Sequence, residues 1–464
     1  MSHDDGGHLV DDAEAAALER DFRDHFWPPF TQLQGLVPIV VESADGALIR
    51  DIHGNEYIDA FASLWTVNVG HGRHEIIEAV ADQARDLACY HVFGIANKPS
   101  IRLATKVAGL LPGDLDHVFL CLGGGEAVET ALKMARQYWR NKGQSSKSMV
   151  LYRDRAYHGT TFGVTSAQGL PVNRHKFEPL LPGFIKTAAP YCYRCAFGKT
   201  RDDCDLECAG AVEREISFYG PENVGTLLGE TMIGTGGVIP PPDGYWPLVC
   251  EICKAADVLL INDEVITGFG RTGTWFGFEQ WGSDPDLVTM AKGLASGYLP
   301  LAAVAARDHV FEAFLGEPAE MKQFMSGATF QGHPLCSAAG LANLEIIERE
   351  RLVERCAEVG PYLQEGLRTL LAHPIVGDVR GVGLVAGVEY VRDKATKEPF
   401  PPSVPAPAKV RDEAFKRGVF VRLLTGGTVH AVAPPFIISK EQIDTVVRVL
   451  DESITAVECE LGYG

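Results

Sequence analysis

Hydrophobic and polar positions change rhythm along this chain. From about residue 75 to 310, helix-spaced segments such as "HEIIEAVADQARDLA" and "EAVETALKMARQYW" alternate with short apolar runs: "HVFLCL", "SMVLYR", "VGTLLGE", "VLLIND". That alternation predicts an α/β domain with a mostly parallel sheet covered by helices on both faces. From about residue 335 the order changes. The long helical stretch "PLCSAAGLANLEIIERERLVERCAEVGPYLQEGLRTLLAH" precedes strand-like "GLVAGVEYV" and "GVFVRLL", as in a separate, smaller α+β domain. Near the N terminus a short acidic helix and the irregular "HFWPPFTQ" come before "ALIRDIHGNEYIDAFA". The latter reads as a hairpin turning at His53-Gly54-Asn55. "KEPFPPSVPAPAK" is a proline-rich surface loop. The expected division is an N-terminal segment 1–75, a large domain 76–330 and a C-terminal small domain 331–464.

Composition narrows the partners. With 464 residues the chain exceeds one core, and 46% hydrophobic with 22% charged residues is a globular balance. A net charge of −19 opposes nucleic acid or an anionic membrane surface. No apolar run reaches the roughly 18 residues a bilayer span needs, and "MSHDDGGHLVDDAEAAALERD" has no signal-peptide core. A cytoplasmic location is expected. Eleven cysteines, most of them in apolar segments, fit reduced thiols better than a disulfide framework.

Four stretches carry chemistry. "DVLLINDEVITGFGRTG", residues 257–273, ends an apolar run at Asn262-Asp263-Glu264 and continues into a glycine-rich turn with Arg271. Ligands of α/β sheets bind outside the carboxyl ends of the strands. A half-buried carboxylate there needs a positive partner; the plainer role is a helix cap or a surface turn. In "CLGGGEAVETALKMAR", Gly123-Gly124-Gly125 lead from a strand into a helix expected to begin at Glu126. Backbone N–H groups and the helix dipole suit a phosphate at that turn, although packing alone also explains glycines. Tyr157, after the strand "SMVLYR", is placed to lie on a planar ligand or to pack in the core. Lys292, in "LVTMAKGLASGYLPLAAV", stands among apolar and small residues. Such a setting invites a depressed amine pKa and the neutral form that makes a Schiff base, although most lysines are solvated surface charges.

One cofactor uses all four features. Pyridoxal 5'-phosphate offers a phosphate to the glycine turn, a flat ring to Tyr157, an aldehyde to Lys292, and a ring nitrogen whose proton Asp263 holds.

The ordered set GGGEA, YHG, DEVITGFGRTG, AKG and GATFQGHPLCSAA resembles the class III aminotransferases, also called omega-aminotransferases, from about residue 30 onward. The resemblance implies a fold-type I large domain, a small domain to which both chain ends contribute, and a homodimer with active sites at the interface. It also implies roles by position. Lys292 bonds the cofactor and Asp263 pairs with its ring nitrogen. Val265 packs under the ring, Tyr157 covers the other face, and Gly124 and Gly125 hold the phosphate. Thr329 reaches the phosphate of the neighbouring subunit's cofactor. Two departures matter. The family usually writes Ser-Gly-Ser where this chain has Gly123-Gly124-Gly125, and many members have glutamine where this chain has Ile266. The second departure points to the amine:pyruvate branch, as does "SLWTVNVGHGRH", whose Trp65 then lines the substrate pocket, with Phe30 as a weaker candidate.

A transaminase uses one pocket for an amine donor and then for a keto acid, whose carboxylate needs a cation. Arg422 of "GVFVRLLTGGTVHAVAPPF" is that cation by resemblance; a structural salt bridge is its plainer role. No second arginine is placed for the distal carboxylate of 2-oxoglutarate, so pyruvate is the expected acceptor. The expected donor is a primary amine or omega-amino acid of the β-alanine, taurine or diamine type. The alternatives are a 2-oxoglutarate-dependent aminotransferase, an aminomutase, racemase or decarboxylase of the same family, and a non-enzymatic cofactor-binding regulator. The last lacks support, since neither terminus offers a DNA-binding module.

Cys192, Cys195, Cys204 and Cys208 form a C-x2-C-x8-C-x3-C pattern in a polar loop. The spacing suits zinc, but the short span and the family's lack of a metal requirement favour thiols, so no metal is expected. Cys250 and Cys253 lie on an apolar helix and belong to the core.

Overall fold

The computed structural model describes residues 10–463; the first nine residues of the N-terminal segment and Gly464 lie outside the described residues. Its centre is a seven-stranded sheet. From edge to edge the strands are His117–Cys121, Ala302–Ala306, Leu287–Met290, Leu259–Asp263, Val224–Glu230, Met149–Arg153 and Phe184–Thr187. All pairs are parallel except those made by Ala302–Ala306, which runs against both neighbours.

Side-chain alternation sorts the strands onto two cores. Val150, Tyr152, Leu228, Leu259 and Ile261 pack with the helix Gly124–Asn141. Leu151, Leu227 and Leu260 pack instead with Tyr245–Ala255 and Glu207–Tyr219. Continued to the strand ends, this alternation sends Glu230 and Asp263 toward the Gly124 helix and Arg153 and Asn262 to the opposite face. The strands' continuous burial explains why the sequence shows apolar runs there and no alternation.

Two smaller sheets complete the architecture. The expected hairpin forms, with Leu48–Asp51 antiparallel to Glu56–Asp59. The second is antiparallel, in the order Val376–Val382, Val385–Tyr390, Val429–Val432, Arg422–Leu423. "GVFVRLL" differs from expectation. It is two short strands in two sheets: Val419–Phe420 runs parallel to Glu56–Asp59, while Arg422–Leu423 pairs with Val429–Val432. Buried Val421 is the step between them. The helix after the glycine turn also begins earlier than expected, at Gly124. Leu352–Arg368 packs on the C-terminal sheet and against Lys440–Leu461, which is opened by a Ser439/Gln442 capping box. Pro334–Arg349 lies against the helices His74–Asp86 and Lys98–Ala108. Among the described residues no helix is long and apolar enough to cross a membrane.

Candidate active site

The two carboxylates at the end of Leu259–Asp263 go to different places. Glu264 is fully buried and accepts from Thr267 Oγ1 (2.8 Å), Gly277 N (2.8 Å), Phe278 N (2.9 Å) and Thr231 Oγ1. Burial pushes its carboxyl up to about 7. It caps the turn at Gly277 and holds the loop, so the plainer role foreseen for a carboxylate here belongs to Glu264. Asp263 points to the other side, accepting from Val265 N (3.0 Å) and pairing with His158 Nδ1 at 2.7 Å. The His158 side chain is completely buried and its Nε2 has no partner among the described residues.

Glu230 stands beside Asp263 in the strand register. Its carboxylate accepts from Tyr157 N (3.0 Å) and Gly234 N (2.8 Å), and burial raises its pKa. Sequence reasoning passed over both His158 and Glu230. The signals were present, a histidine next to Tyr157 and an acid closing the apolar run "VGTLLGE".

Lys292 stands one residue beyond the end of Leu287–Met290, in a left-handed turn with φ 43°. Its Nζ lies 5.0 Å from the centroid of the Trp65 ring. Burial holds the amine down to about 8, against the pull of the Asp263 and Glu230 carboxylates. A side chain at Gly293 would meet Asn68 Nδ2 at 2.4 Å, so Lys292 must be followed by glycine. Trp65 is also left-handed (φ 55°) and nearly fully buried. Asp59 fixes its loop by accepting from Phe61 N (3.2 Å) and Ser63 N (2.7 Å). Asn68 donates to Phe269 O (3.1 Å) and accepts from Arg271 Nη2 (2.6 Å). Arg271, wholly buried, also donates to the carbonyls of Leu384 and Pro434. The arginine of the glycine-rich turn therefore ties the Trp65 loop to the C-terminal segment.

At the glycine turn Gly123 offers no side-chain cap to the helix Gly124–Asn141, so its first N–H groups lack an intrahelical partner. A Cβ at Gly124 would lie 2.8 Å from Val265 Cγ1, and one at Gly125 would lie 3.3 Å from Gly159 Cα. The helix start is thereby pressed against Val265 and the Tyr157-His158-Gly159 segment. Gly123 differs: its backbone is extended, and a Cβ added there would meet nothing within 4 Å. Tyr157 is half-buried, with its phenol pushed up by burial.

Trp65 packs with Phe61, Met232, Ile266, Leu424 and Ala431. Arg422 pairs with Ala431 across its strand and so shares that face. It is exposed over the whole residue, yet partial enclosure and the Arg411 cation hold its pKa below the usual arginine value. Phe30 is 63% exposed and Thr329 is exposed; neither joins the buried assembly around Lys292.

All eleven cysteines are free, and Cys253 is buried as expected. Among the described residues no three of the loop sulfurs lie within 4.8 Å of one another. The group that does gather, Asp116, His117 and Asp308, is a surface cluster with exposed carboxylates.

The family model for class III aminotransferases matches residues 31–454. The chain is 39% identical over 444 residues to a putrescine–pyruvate aminotransferase of Pseudomonas aeruginosa, covering 94% of this chain and 96% of the relative. It is 40% identical over 460 residues to a taurine–pyruvate aminotransferase of Bilophila wadsworthia, covering 97% and 99%. A crystal structure of an (S)-enantioselective omega-transaminase from Thermomicrobium roseum superposes with a TM-score of 0.92 at 42% identity, covering 96% and 98%.

Proposed function

The chain belongs to the class III aminotransferases, and on that premise we propose that it moves an amino group from a primary amine or omega-amino acid to pyruvate, forming alanine by a ping-pong route. The fold is fold-type I and the family's cofactor is pyridoxal phosphate. The residues fit that group. An uncapped helix start pressed close by glycines suits a phosphate, and a buried amine beside two carboxylates suits an aldehyde and a ring nitrogen. When bound, pyridoxal phosphate supplies the aldehyde that carries the amino group and a ring that takes up the electron pair released at the donor carbon.

The chain's residues do the rest. Lys292, neutral for much of the time near pH 8, bonds the cofactor and then carries a proton at Nζ. Asp263 keeps a proton on the ring nitrogen, and His158 holds the Asp263 carboxylate in line through its Nδ1–H. That tautomer is the one in which the ring donates to a carboxylate. Gly124 and Gly125 leave room for the phosphate, Val265 and Tyr157 bound the ring, and Trp65 walls the substrate pocket. Thr329, exposed on its own chain, reaches the phosphate across a homodimer interface. The same reading keeps the chain's division at about residues 75 and 330.

The observation carrying this reading is the Lys292 amine over the Trp65 ring, with Arg422 on the strand face that packs behind Trp65. Pyruvate's one carboxylate satisfies Arg422 and leaves a methyl for the apolar wall. A second carboxylate would be buried without a partner. The similarity to putrescine- and taurine-using relatives supports diamines and taurine as the first donors to test. The test is a grid of amines against pyruvate and 2-oxoglutarate, with alanine and glutamate measured separately. Glutamate formed faster than alanine for every donor would overturn the acceptor assignment. Single-turnover formation of the pyridoxamine form separates a transaminase from a decarboxylase or racemase.

Two substitutions extend the test. Arg422→Ala should lower kcat/KM for pyruvate about 10–100-fold, the scale of losing a charge-assisted carboxylate contact. The half-reaction of a donor without a carboxylate should change little. Equal losses in both halves would remove Arg422 from the acceptor site. Gly123→Ser should be accommodated, because its extended backbone suits any residue and its Cβ position is open. The added hydroxyl should slow cofactor loss about 3–10-fold, the worth of one hydrogen bond. An unchanged rate of loss on dialysis would place the phosphate elsewhere.

A further inference from the structure

Beyond Glu230 the chain makes a tight turn at residues 234–238. Paired backbone bonds between Ile233 and Ile239 (3.2 and 2.7 Å) close it. The front of the turn presses on the site. Gly234 N donates to the Glu230 carboxylate at 2.8 Å, and a Cβ at Gly234 would lie 2.3 Å from Ile266 Cδ1. The far end carries Val238, fully buried in the apolar cluster that also holds Trp65 and Ile266. Val238 has φ 50°, a left-handed backbone that β-branched residues rarely adopt. Such a conformation persists only where its surroundings over-determine it.

Two arginines outside the site hold the turn. Arg155 Nη1 donates to Gly236 O at 3.2 Å. Arg380, on Val376–Val382, donates from Nε to Gly237 O and Val238 O (3.0 Å each) and from Nη2 to Gly237 O (2.6 Å). Its Nη1 meets Asp378 and Glu389, each at 2.7 Å. Glu389 also pairs with Arg194 (2.6 Å) and accepts from the Tyr191 hydroxyl. Two cations therefore face two acids, and the largely buried Arg380 charge is balanced. The guanidiniums of Arg155 and Arg380 both lie over the Tyr191 ring, at 4.7 and 4.9 Å. Behind the turn, a Cβ at Gly387 would come 3.0 Å from Gly237 O and 3.1 Å from Val238 Cβ.

The planar guanidinium explains the grip. Its donors point in fixed directions from one plane, so one side chain holds two successive carbonyls and two carboxylates together. Among the described residues Arg380 makes no hydrogen bond to Lys292, Asp263 or Arg422, so its influence on the reaction passes through the turn.

On the reading of Trp65 as a wall of the substrate pocket, we infer that Arg380 is a positioning residue that sets the width of that pocket. Its hold on the Gly237 and Val238 carbonyls keeps Val238 in the Trp65 cluster and, at the other end of the turn, keeps Gly234 against Ile266. With the hold released, the wall gives way and bulkier amines enter.

Single-turnover formation of the pyridoxamine form by the full-length holoenzyme reads the pocket without an acceptor. The measured quantity is the second-order rate constant for isobutylamine divided by that for n-butylamine, which has the same number of carbons. Arg380→Met should raise this ratio about tenfold, the low end of what room for one methylene is worth. Arg380→Lys keeps a charge beside Glu389 but lacks the planar fork. Its ratio should fall between the two, and it serves if Arg380→Met does not fold. A merely structural role would lower the unfolding midpoint and slow both amines alike. Trp65→Ala separates the two readings, since it should raise the ratio by itself. A ratio moved by Trp65→Ala but equal in the wild type and both Arg380 variants overturns the positioning role. A ratio that Trp65→Ala leaves unmoved overturns the pocket reading and this inference with it.

Discussion

Lys292→Ala should give a folded protein that borohydride no longer joins covalently to its cofactor. Turnover should fall by at least about 10²–10⁴-fold from the lost proton transfer alone. The mutant removes a buried amine, and its Trp65 neighbour loses only a cation over the ring. Pyridoxal phosphate should still bind at the glycine turn, without the visible absorption that bonding to lysine confers. Cofactor that remained fixed after borohydride treatment and denaturation would assign the bond to another lysine. The held-down amine adds a pH signature. In cofactor-free wild type, covalent capture requires the neutral form, which is the minority below about pH 8 and the majority above it. Capture should therefore speed up by about tenfold per pH unit on approach to pH 8 and level off above it. A capture rate still climbing at pH 10 would mean an unshifted lysine.

Asp263→Asn should slow both half-reactions by roughly 10²–10³-fold, the cost of removing one preorganised electrostatic contact. Asparagine keeps the shape; its one oxygen can still accept from Val265 N, while its NH2 takes the place of the oxygen facing His158 and calls for the tautomer in which Nδ1 accepts. On the proposed reading, the missing quantity is the negative charge that would hold a proton on the ring nitrogen. His158→Ala leaves that charge but frees its direction, and a loss of about tenfold is expected, the size of a lost hydrogen bond. Asp263→Asn at near wild-type rate would return Asp263 to a structural role like that of Glu264.

The comparison of these two acids shows what the sequence carries. A strand ending in Asp263-Glu264 before a glycine-rich turn marks a site, and Lys292 among small residues marks an amine. Which of the adjacent acids faces the site depends on pleat and on where the Gly277 turn lies, 13 residues away from Glu264. His158 and Glu230 were illegible for a related reason. Each acts by meeting Asp263 across strands that are neighbours only in space, Glu230 through its register with Asp263 and His158 through a contact 105 residues distant. The division of "GVFVRLL" was hidden as well. Seven residues read as one strand until the partners, Glu56–Asp59 and Val429–Val432, are known.

Those pairings also set a timetable. Asp59 braces the loop that aims Trp65 at Lys292, and the strand containing Asp59 is completed by Val419–Phe420, made long after it. Arg271 likewise waits for Leu384 and Pro434. During synthesis on a ribosome the central sheet can form early, but the wall opposite the reactive amine cannot close until the C-terminal residues emerge. Contacts so far apart in sequence are slow to form. Chains arrested before about residue 420 should therefore hold a formed central sheet while the loop carrying Trp65 stays open to proteolysis, and a loop already protected at that length would refute the order.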